Sequence, residues 1–171
     1  SLIVMCGLSG SGKSFLAKEI AKYGDFSIIR SDVVRKKLAK KKRTKAEYGK
    51  GIYTKEFTER TYTEMLRQAR ILLHKKSVIL DATFNKKSHR KLAEMLAFVM
   101  HVPFLIVYCA APEKFIFKRL QSRRDISDAD IAIYLKQKKD FMPPAGGNVT
   151  KINASDNSKI EHIVKKVFNS L

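Results

Sequence analysis

Residues 7–14 read Gly-Leu-Ser-Gly-Ser-Gly-Lys-Ser, and they follow a short apolar run at residues 2–6. The spacing fits the pattern G-x-x-x-x-G-K-S, in which a glycine-rich loop joins a buried strand to a helix. Glycines let the backbone N–H groups wrap around phosphates, and the helix N-terminus adds a partial positive charge. The segment therefore predicts a phosphate-binding loop (P-loop) inside an α/β fold.

The residues of this loop have different expected roles. Lys13 is expected to reach the β- and γ-phosphates of ATP, and Ser14 is expected to ligate Mg²⁺. The other residues expected to contact the nucleotide are Gly7, Ser9, Gly10, Ser11, Gly12 and Phe15. A purely structural glycine turn is the alternative, but the position between a predicted strand and a predicted helix disfavours it.

Apolar runs alternate with segments of helical periodicity along the chain. Strands are predicted at residues 2–6, 26–29, 77–80, 103–109 and 149–152. Helices are predicted at residues 13–23, 32–38, 54–73, 88–100, 112–123, 128–138 and 160–167. Residues 39–52 are predicted to be a loop, and Gly24 stands where the C-terminal cap of the first helix belongs. Because the strands are almost wholly apolar, we expect a five-stranded parallel sheet with helices on both faces and a helical lid at about residues 119–138.

Length and composition limit the remaining possibilities. With 171 residues, the chain is predicted to be a single P-loop domain over residues 1–171. Because the first strand follows Ser1 at once, we expect either a domain excised from a longer chain or the remnant of a tag at Ser1. No apolar run approaches the roughly 20 residues that span a bilayer, so we expect no membrane insertion and a cytoplasmic location. Cys6 and Cys109 end apolar runs without metal-binding spacing, which predicts free buried thiols.

The charge of the chain is strongly positive. The formal net charge is +19, which favours a polyanionic partner such as a nucleotide or single-stranded nucleic acid. Lysine-rich surfaces also occur in thermophilic proteins, so charge alone leaves the partner open. Residues 35–45 are mostly basic, a run that suits either a solvated loop or a contact with a phosphate backbone.

Charged side chains stand where the second and third predicted strands end. Asp32 follows the second strand, Arg35 lies one helical turn later, and Asp81 ends the third strand. Ligands bind beyond the carboxyl ends of parallel strands, so these side chains should share a cleft with the glycine loop. Asp32 could deprotonate a hydroxyl while Arg35 grips an anionic acceptor, or the two could be an ordinary surface pair. Asp81 could act on Mg²⁺, on the substrate side, or on loop amides.

Basic and titratable residues elsewhere give weaker signals. Arg119 and Arg123 are four residues apart on one predicted helix, and they are expected to neutralise a transferring phosphoryl group unless they form a solvated basic face. The four histidines are interpreted as ordinary residues; they are His74, His89, His101 and His162.

Several segments together resemble zeta-toxin-like P-loop kinase domains of the AAA type. They are residues 7–14, 30–35, 53–54, 80–84 and 123–130. Such domains are often joined to an aminoglycoside-phosphotransferase-like domain, which the resemblance implies as a fused or partner domain here.

The chain is more distantly similar to the 5′-kinase domain of polynucleotide kinases. This second resemblance implies that Asp32 is a general base and that Arg35 clamps a phosphate of the acceptor. It also implies that Asp81 is an essential acid, with Arg119 and Arg123 as arginines of the lid.

Three functions are therefore open. The first is an ATP-dependent kinase that acts on the 5′-hydroxyl of a polynucleotide, and the second is a kinase of a small hydroxylated metabolite or antibiotic. The third is a regulatory switch that hydrolyses ATP. Asp32 and Arg35 on the acceptor side disfavour the switch, and the basic run favours the polynucleotide over a neutral metabolite.

Overall fold

The computed structural model describes residues 1–41, 54–121, 128–154 and 160–171. Strands and helices alternate in these ranges. The strands are β1 (Leu2–Cys6), β2 (Phe26–Arg30), β3 (Ser77–Asp81), β4 (Phe104–Ala110) and β5 (Val149–Asn153). The helices are α1 (Lys13–Lys22), α2 (Ser31–Lys41), α3 (Lys55–Leu73), α4 (Lys87–Val99), α5 (Glu113–Gln121), α6 (Asp128–Asp140) and α7 (Ile160–Asn169).

The strands form one parallel sheet in the order β2-β3-β1-β4-β5. This architecture confirms the predicted five-stranded parallel sheet. β1 lies at its centre, and all five of its residues are buried because neighbours cover both faces. In the register, Arg30 on β2 is aligned with Asp81 on β3, and Asp81 is aligned with Met5 on β1. These three strands therefore end at the same edge of the sheet.

Alternate residues of the strands supply two separate hydrophobic cores. One face of the sheet, with Val4 and Leu80, packs against α2, α3 and α4, whose buried residues include Met65 and Ala93. The opposite face, with Ile3 and Met5, packs against α1 and α7. Burial on both sides explains why the strands read as continuous apolar runs.

A third, smaller cluster joins α5, α6 and the glycine loop. Ile116 and Leu120 of α5 pack with Tyr134 of α6, and Leu8 of the loop packs against them. The predicted helical lid is thus helical in its described parts, and α6 rests on α5 through a buried contact.

The structure corrects two details at helix ends. α2 continues to Lys41, so the loop predicted at residues 39–52 is wrong for 39–41, where alanine and lysine favour a helix; residues 42–53 lie outside the described part. The C-terminal cap of α1 is Tyr23, whose N–H donates to the carbonyl of Ile20, and Gly24 follows it without a left-handed backbone. Instead, a Cβ on Gly24 would lie 2.8 Å from the ring of Phe26.

Both cysteines are free and buried, as predicted. Burial raises the pKa of the Cys6 thiol to about 11 and that of the Cys109 thiol to about 12, so both are protonated at neutral pH. Among the described residues, no helix has the length and apolar character needed to cross a bilayer.

The turn out of β1 provides a test of the fold. Gly7 has φ +142°, and a Cβ there would lie 2.4 Å from the carbonyl oxygen of Cys109 on β4. We expect Gly7→Ala to lower the free energy of unfolding by about 3 kcal/mol, measured by urea denaturation, because both the backbone and β4 must shift. Gly147→Ala is the matched control, since no atom lies within 4 Å of that Cβ. Equal stability of the two variants would contradict this packing.

Candidate active site

A cavity of about 920 Å³ opens at the carboxyl edge of the sheet. Its volume is near the upper end of the range for ligand sites, about 300–1,000 Å³. The sequence-predicted site residues that line it are Ser9, Gly10, Gly12, Lys13, Ser14, Phe15, Asp32, Arg35, Asp81 and Arg119. The structure therefore brings the glycine loop and the three charged residues at the strand ends into one cavity.

The glycine loop is shaped as a cradle for an anion. Gly12 has φ +94°, a conformation open to glycine, and it immediately precedes α1, so the helix begins at the cavity without a hydrogen bond from a capping side chain. Lys13 is nine-tenths buried, and its Nζ donates to the carbonyl of Leu8 at 2.7 Å, across the loop. Backbone N–H groups at a helix N-terminus together with a lysine fit a phosphate group.

Two residues of the predicted loop set do not line the cavity. Ser11 lines a separate pocket of about 60 Å³ beside Cys109, and the backbone N–H of Ser11 donates to the carbonyl of Leu8 at 3.2 Å. The N–H of Gly7 donates to the carbonyl of Thr83, after β3, at 3.1 Å. Both residues therefore contribute to the conformation of the loop through backbone hydrogen bonds and do not line the cavity.

An arginine that the sequence analysis left out of the site lies between the two carboxylates. Arg30 Nε is 3.5 Å from Asp81 Oδ2 and 3.6 Å from Asp32 Oδ1. Asp81 is 5% exposed, whereas the side chain of Asp32 is 53% exposed and open to the cavity. A positive charge between two negative ones offsets their repulsion, so Arg30 holds both acids at one wall.

Arg35 lies on the side of the cavity formed by α2 and α3. Its Nη1 is 3.5 Å from Thr58 Oγ1, and its guanidinium carbon is 6.0 Å from the centre of the Phe57 ring. Phe57 is buried. Lys36 and Lys55 line the same side, so the wall carries several positive charges.

Arg119 lies beside the glycine loop. Its Nη2 donates to the carbonyl of Ala154, which follows β5, and a Cβ on Gly12 would lie 3.2 Å from its Nη1. The guanidinium is thus positioned where the loop and the end of β5 meet. Arg123, the second arginine predicted for the lid, lies outside the described residues.

The turn after β3 is held by side chains from two helices. The N–H of Phe84 donates to the hydroxyl of Tyr62 at 3.0 Å, and Arg90 Nη1 donates to the carbonyls of Phe84 at 2.7 Å and Asn85 at 3.2 Å. Burial raises the pKa of Tyr62 to about 12, so the phenol stays neutral. The turn that follows Asp81 is therefore fixed in position.

The interpretation of His89 as an ordinary residue missed its contacts. The residue is 2% exposed, its ring stacks on Tyr62 with centroids 4.0 Å apart, and its Nε2 is 2.9 Å from Glu59 Oε2. Lys86 Nζ lies 3.4 Å from the other oxygen of Glu59. The sequence offers no signal for this cluster because its members belong to α3 and to the start of α4.

The oxygen-bearing side chains of the cavity decide whether a metal ion could bind there. Within residues 1–41, 54–121, 128–154 and 160–171, no three His, Cys, Asp or Glu side chains cluster as a self-sufficient metal site. Mg²⁺ is commonly held by one or two protein oxygens together with phosphates and water. Ser14 and Asp81 both line the cavity and supply oxygens of this kind.

Comparisons with known proteins agree with this geometry. The family profile described as an AAA domain matches residues 2–144. Comparison with curated proteins finds no match. The resemblance to zeta-toxin-like domains, with the fused phosphotransferase-like domain that it implies, stays a prediction.

Three solved structures share the fold across nearly the whole chain. A gluconokinase from Sinorhizobium meliloti 1021 is 17% identical with a TM-score of 0.73, covering 99% of this chain and 90% of that chain. Kti12 of Chaetomium thermophilum, in complex with ADP-AlF3, is 16% identical with a TM-score of 0.74, covering 99% and 98%. The APS kinase CysC of Mycobacterium tuberculosis, in complex with AMPPNP and APS, is 16% identical with a TM-score of 0.70, covering 99% and 96%. At these identities the likeness shows a P-loop kinase-like fold.

The contact between Glu59 and His89 predicts a pH dependence of stability. The hydrogen bond from His89, followed by smaller contributions from Lys86, holds the pKa of Glu59 below its usual value. A lowered pKa in the folded state stabilises the protein above the unfolded-state pKa, and this stabilisation is lost as the pH falls through the folded-state pKa. We therefore expect Glu59→Gln to flatten the fall in unfolding free energy below about pH 4.5.

Urea denaturation at a series of pH values measures this effect. Lys86→Gln, which removes a weaker contributor, should flatten the curve less than Glu59→Gln does. Parallel curves for the wild type and Glu59→Gln would show that the contact with His89 does not act on the folded state.

Proposed function

The chain belongs to the AAA domain family, and we propose that it is an ATP-dependent kinase that transfers the γ-phosphoryl group of ATP to a hydroxyl of an anionic acceptor. The 5′-hydroxyl end of a polynucleotide is the acceptor that we favour. One observation carries this proposal: the phosphate loop, the exposed carboxylate of Asp32 and the guanidinium of Arg35 line the same cavity.

The nucleotide side of the cavity is the phosphate loop. Gly10, Gly12 and Lys13 would hold the β- and γ-phosphates, and Lys13 would exchange its present partner, the carbonyl of Leu8, for phosphate oxygens. Ser14 would hold Mg²⁺ directly, with Asp81 acting directly or through water; the ion would neutralise phosphate charge. Arg119 lies next to the loop and would face the nucleotide.

Asp32 is the group placed to activate the acceptor. Its carboxylate would accept the proton of the acceptor hydroxyl while the hydroxyl oxygen forms a bond to the γ-phosphorus. The bond between that phosphorus and the oxygen bridging it to the β-phosphate breaks, and ADP leaves with the electron pair. Arg30, which contacts both acids, would keep the carboxylate of Asp32 turned toward the cavity as a positioning residue.

The charge of the cavity favours an anionic acceptor. Its lining contains eight basic and three acidic residues, so a bound nucleotide would neutralise only part of the excess. On the α2–α3 side, Arg35, Lys36 and Lys55 remain for the acceptor. Arginine binds phosphate through two parallel hydrogen bonds, which suits the phosphate that follows a 5′-hydroxyl nucleoside.

A small anionic metabolite with a hydroxyl is the second candidate. The cations of the α2–α3 side lie in the same cavity as Asp32, so they would also suit a compact acid. Two proteins of the same fold carry the names gluconokinase and APS kinase. A neutral sugar or antibiotic would make little use of this charge. A switch that only hydrolyses ATP would not need Asp32 and Arg35 in the cavity.

The role of Asp32 can be separated from nucleotide binding. We expect Asp32→Asn to leave the affinity for ATP within a few-fold and to reduce phosphoryl transfer by about 10²–10⁴, the usual size of general-base catalysis. Calorimetry with ATP and Mg²⁺ measures the first quantity, and transfer from γ-labelled ATP measures the second. An equal loss of both would make Asp32 a structural or metal-linked residue.

The role of Arg35 can be tested with matched acceptors. A nucleoside 3′-phosphate should be a much better acceptor than the same nucleoside without phosphate, and Arg35→Ala should remove most of that preference because the phosphate loses its guanidinium. Lys37→Ala is the control, since Lys37 is an exposed residue of α2 outside the cavity lining.

The outcomes of this experiment separate the two acceptors. Equal use of both nucleosides by the wild type would show that Arg35 does not bind an acceptor phosphate. If neither nucleoside is phosphorylated while sugar acids are, the small-metabolite kinase is the better assignment.

A further inference from the structure

Gln137 on α6 reaches across to the phosphate loop. The backbone N–H of Ser9 donates to Gln137 Oε1 at 3.0 Å. The helix that carries Gln137 is held in place, since Tyr134 is 1% exposed in the cluster with α5 and Lys138 Nζ lies 2.9 Å from Glu113 Oε1. The contact with Ser9 therefore joins the loop to a supported helix.

Hydrogen-bond chemistry fixes which way the amide of Gln137 points. A backbone N–H can only donate, so the branch of the amide that faces Ser9 must be the carbonyl oxygen. The other branch is the NH₂ group, which carries two donors. Gln137 also lines the cavity, so the side chain that carries these two donors joins the phosphate loop to the cavity surface.

The surroundings place Gln137 near the region of phosphoryl transfer. Ser9 follows β1, and Met142, just beyond α6, donates its N–H to the carbonyl of Asn85 in the turn after β3 at 3.1 Å. β1 and β3 are neighbours in the sheet, and Asp81 ends β3. The C-terminal part of α6 and the residue Met142 thus contact both the phosphate loop and the turn after β3, and Gln137 lines the cavity together with Ser9 and Asn85.

From this geometry we infer that Gln137 is a further catalytic residue, whose NH₂ group donates to an oxygen of the transferring γ-phosphoryl group while Ser9 holds its carbonyl. This inference rests on the proposed function. A neutral donor already fixed in position stabilises charge that develops in the transition state without reorganising first. The same contact would let α6 distinguish ATP from ADP, because ADP lacks the γ-phosphoryl group.

Two substitutions of Gln137 separate this role from a structural one. Gln137→Glu keeps an oxygen for the N–H of Ser9 and nearly the same shape, but it replaces the two donors with a second oxygen that repels phosphate. Gln137→Ala removes both contacts. Lys139→Gln is the control, because Lys139 is an exposed residue of α6 outside the cavity lining.

Calorimetric titrations with ADP and with a non-hydrolysable ATP analogue, each with Mg²⁺, are the first measurement. For Gln137→Glu we expect the ADP affinity to stay within about threefold of the wild type and the affinity for the ATP analogue to fall at least about tenfold. Phosphoryl transfer is the second measurement, and kcat should fall by about 10²–10³, the usual effect of losing one fixed donor. Lys139→Gln should match the wild type in all three.

Each outcome decides the inference. If Gln137→Glu binds the ATP analogue and transfers phosphate like the wild type, or weakens ADP and the analogue equally, Gln137 only ties α6 to the loop and the inference is wrong. The binding titrations need no acceptor, so an unidentified acceptor leaves them decisive. A wild-type protein that binds neither nucleotide would instead overturn the proposed function.

Discussion

The parallel register of β2, β3 and β1 is the constraint on which the rest of the site depends. Because Arg30 is aligned with Asp81, and Asp81 with Met5, the three strands deliver their polar ends to one edge of the sheet. The phosphate loop, α2 and the turn after β3, which follow these three strands, therefore all begin at that edge. A slip of β2 by one residue would turn its side chains to the opposite face and separate Arg30 from both acids.

Buried side chains brace both sides of this edge. Tyr62 and Arg90 hold the turn after β3, and His89 packs on Tyr62 while contacting Glu59. α6 rests on α5 through Tyr134. The basic side chains that line the cavity repel one another, so a bound anion would relieve this repulsion and stabilise the folded protein.

The sequence predicted the strands and most helix bounds because apolar runs and helical periodicity are local signals. The glycine loop and the strand-end acids were found for the same reason, since their meaning follows from position in an α/β unit. Arg30, His89 and Gln137 were not found, because each of them contacts at least one residue that is far away in sequence. Gln137 meets Ser9 from a distance of 128 residues, and only packing of α6 on α5 brings them together.

The fate of the γ-phosphorus of ATP tests the central claim most directly. Phosphorus-31 NMR of the wild-type protein with ATP, Mg²⁺ and a 5′-hydroxyl oligonucleotide or a sugar acid follows that atom during turnover. A kinase should produce a phosphate-ester resonance in step with ADP, and the signal should depend on the acceptor. Release of the phosphorus as inorganic phosphate alone, at a rate indifferent to both acceptors, would contradict phosphoryl transfer and identify a hydrolase.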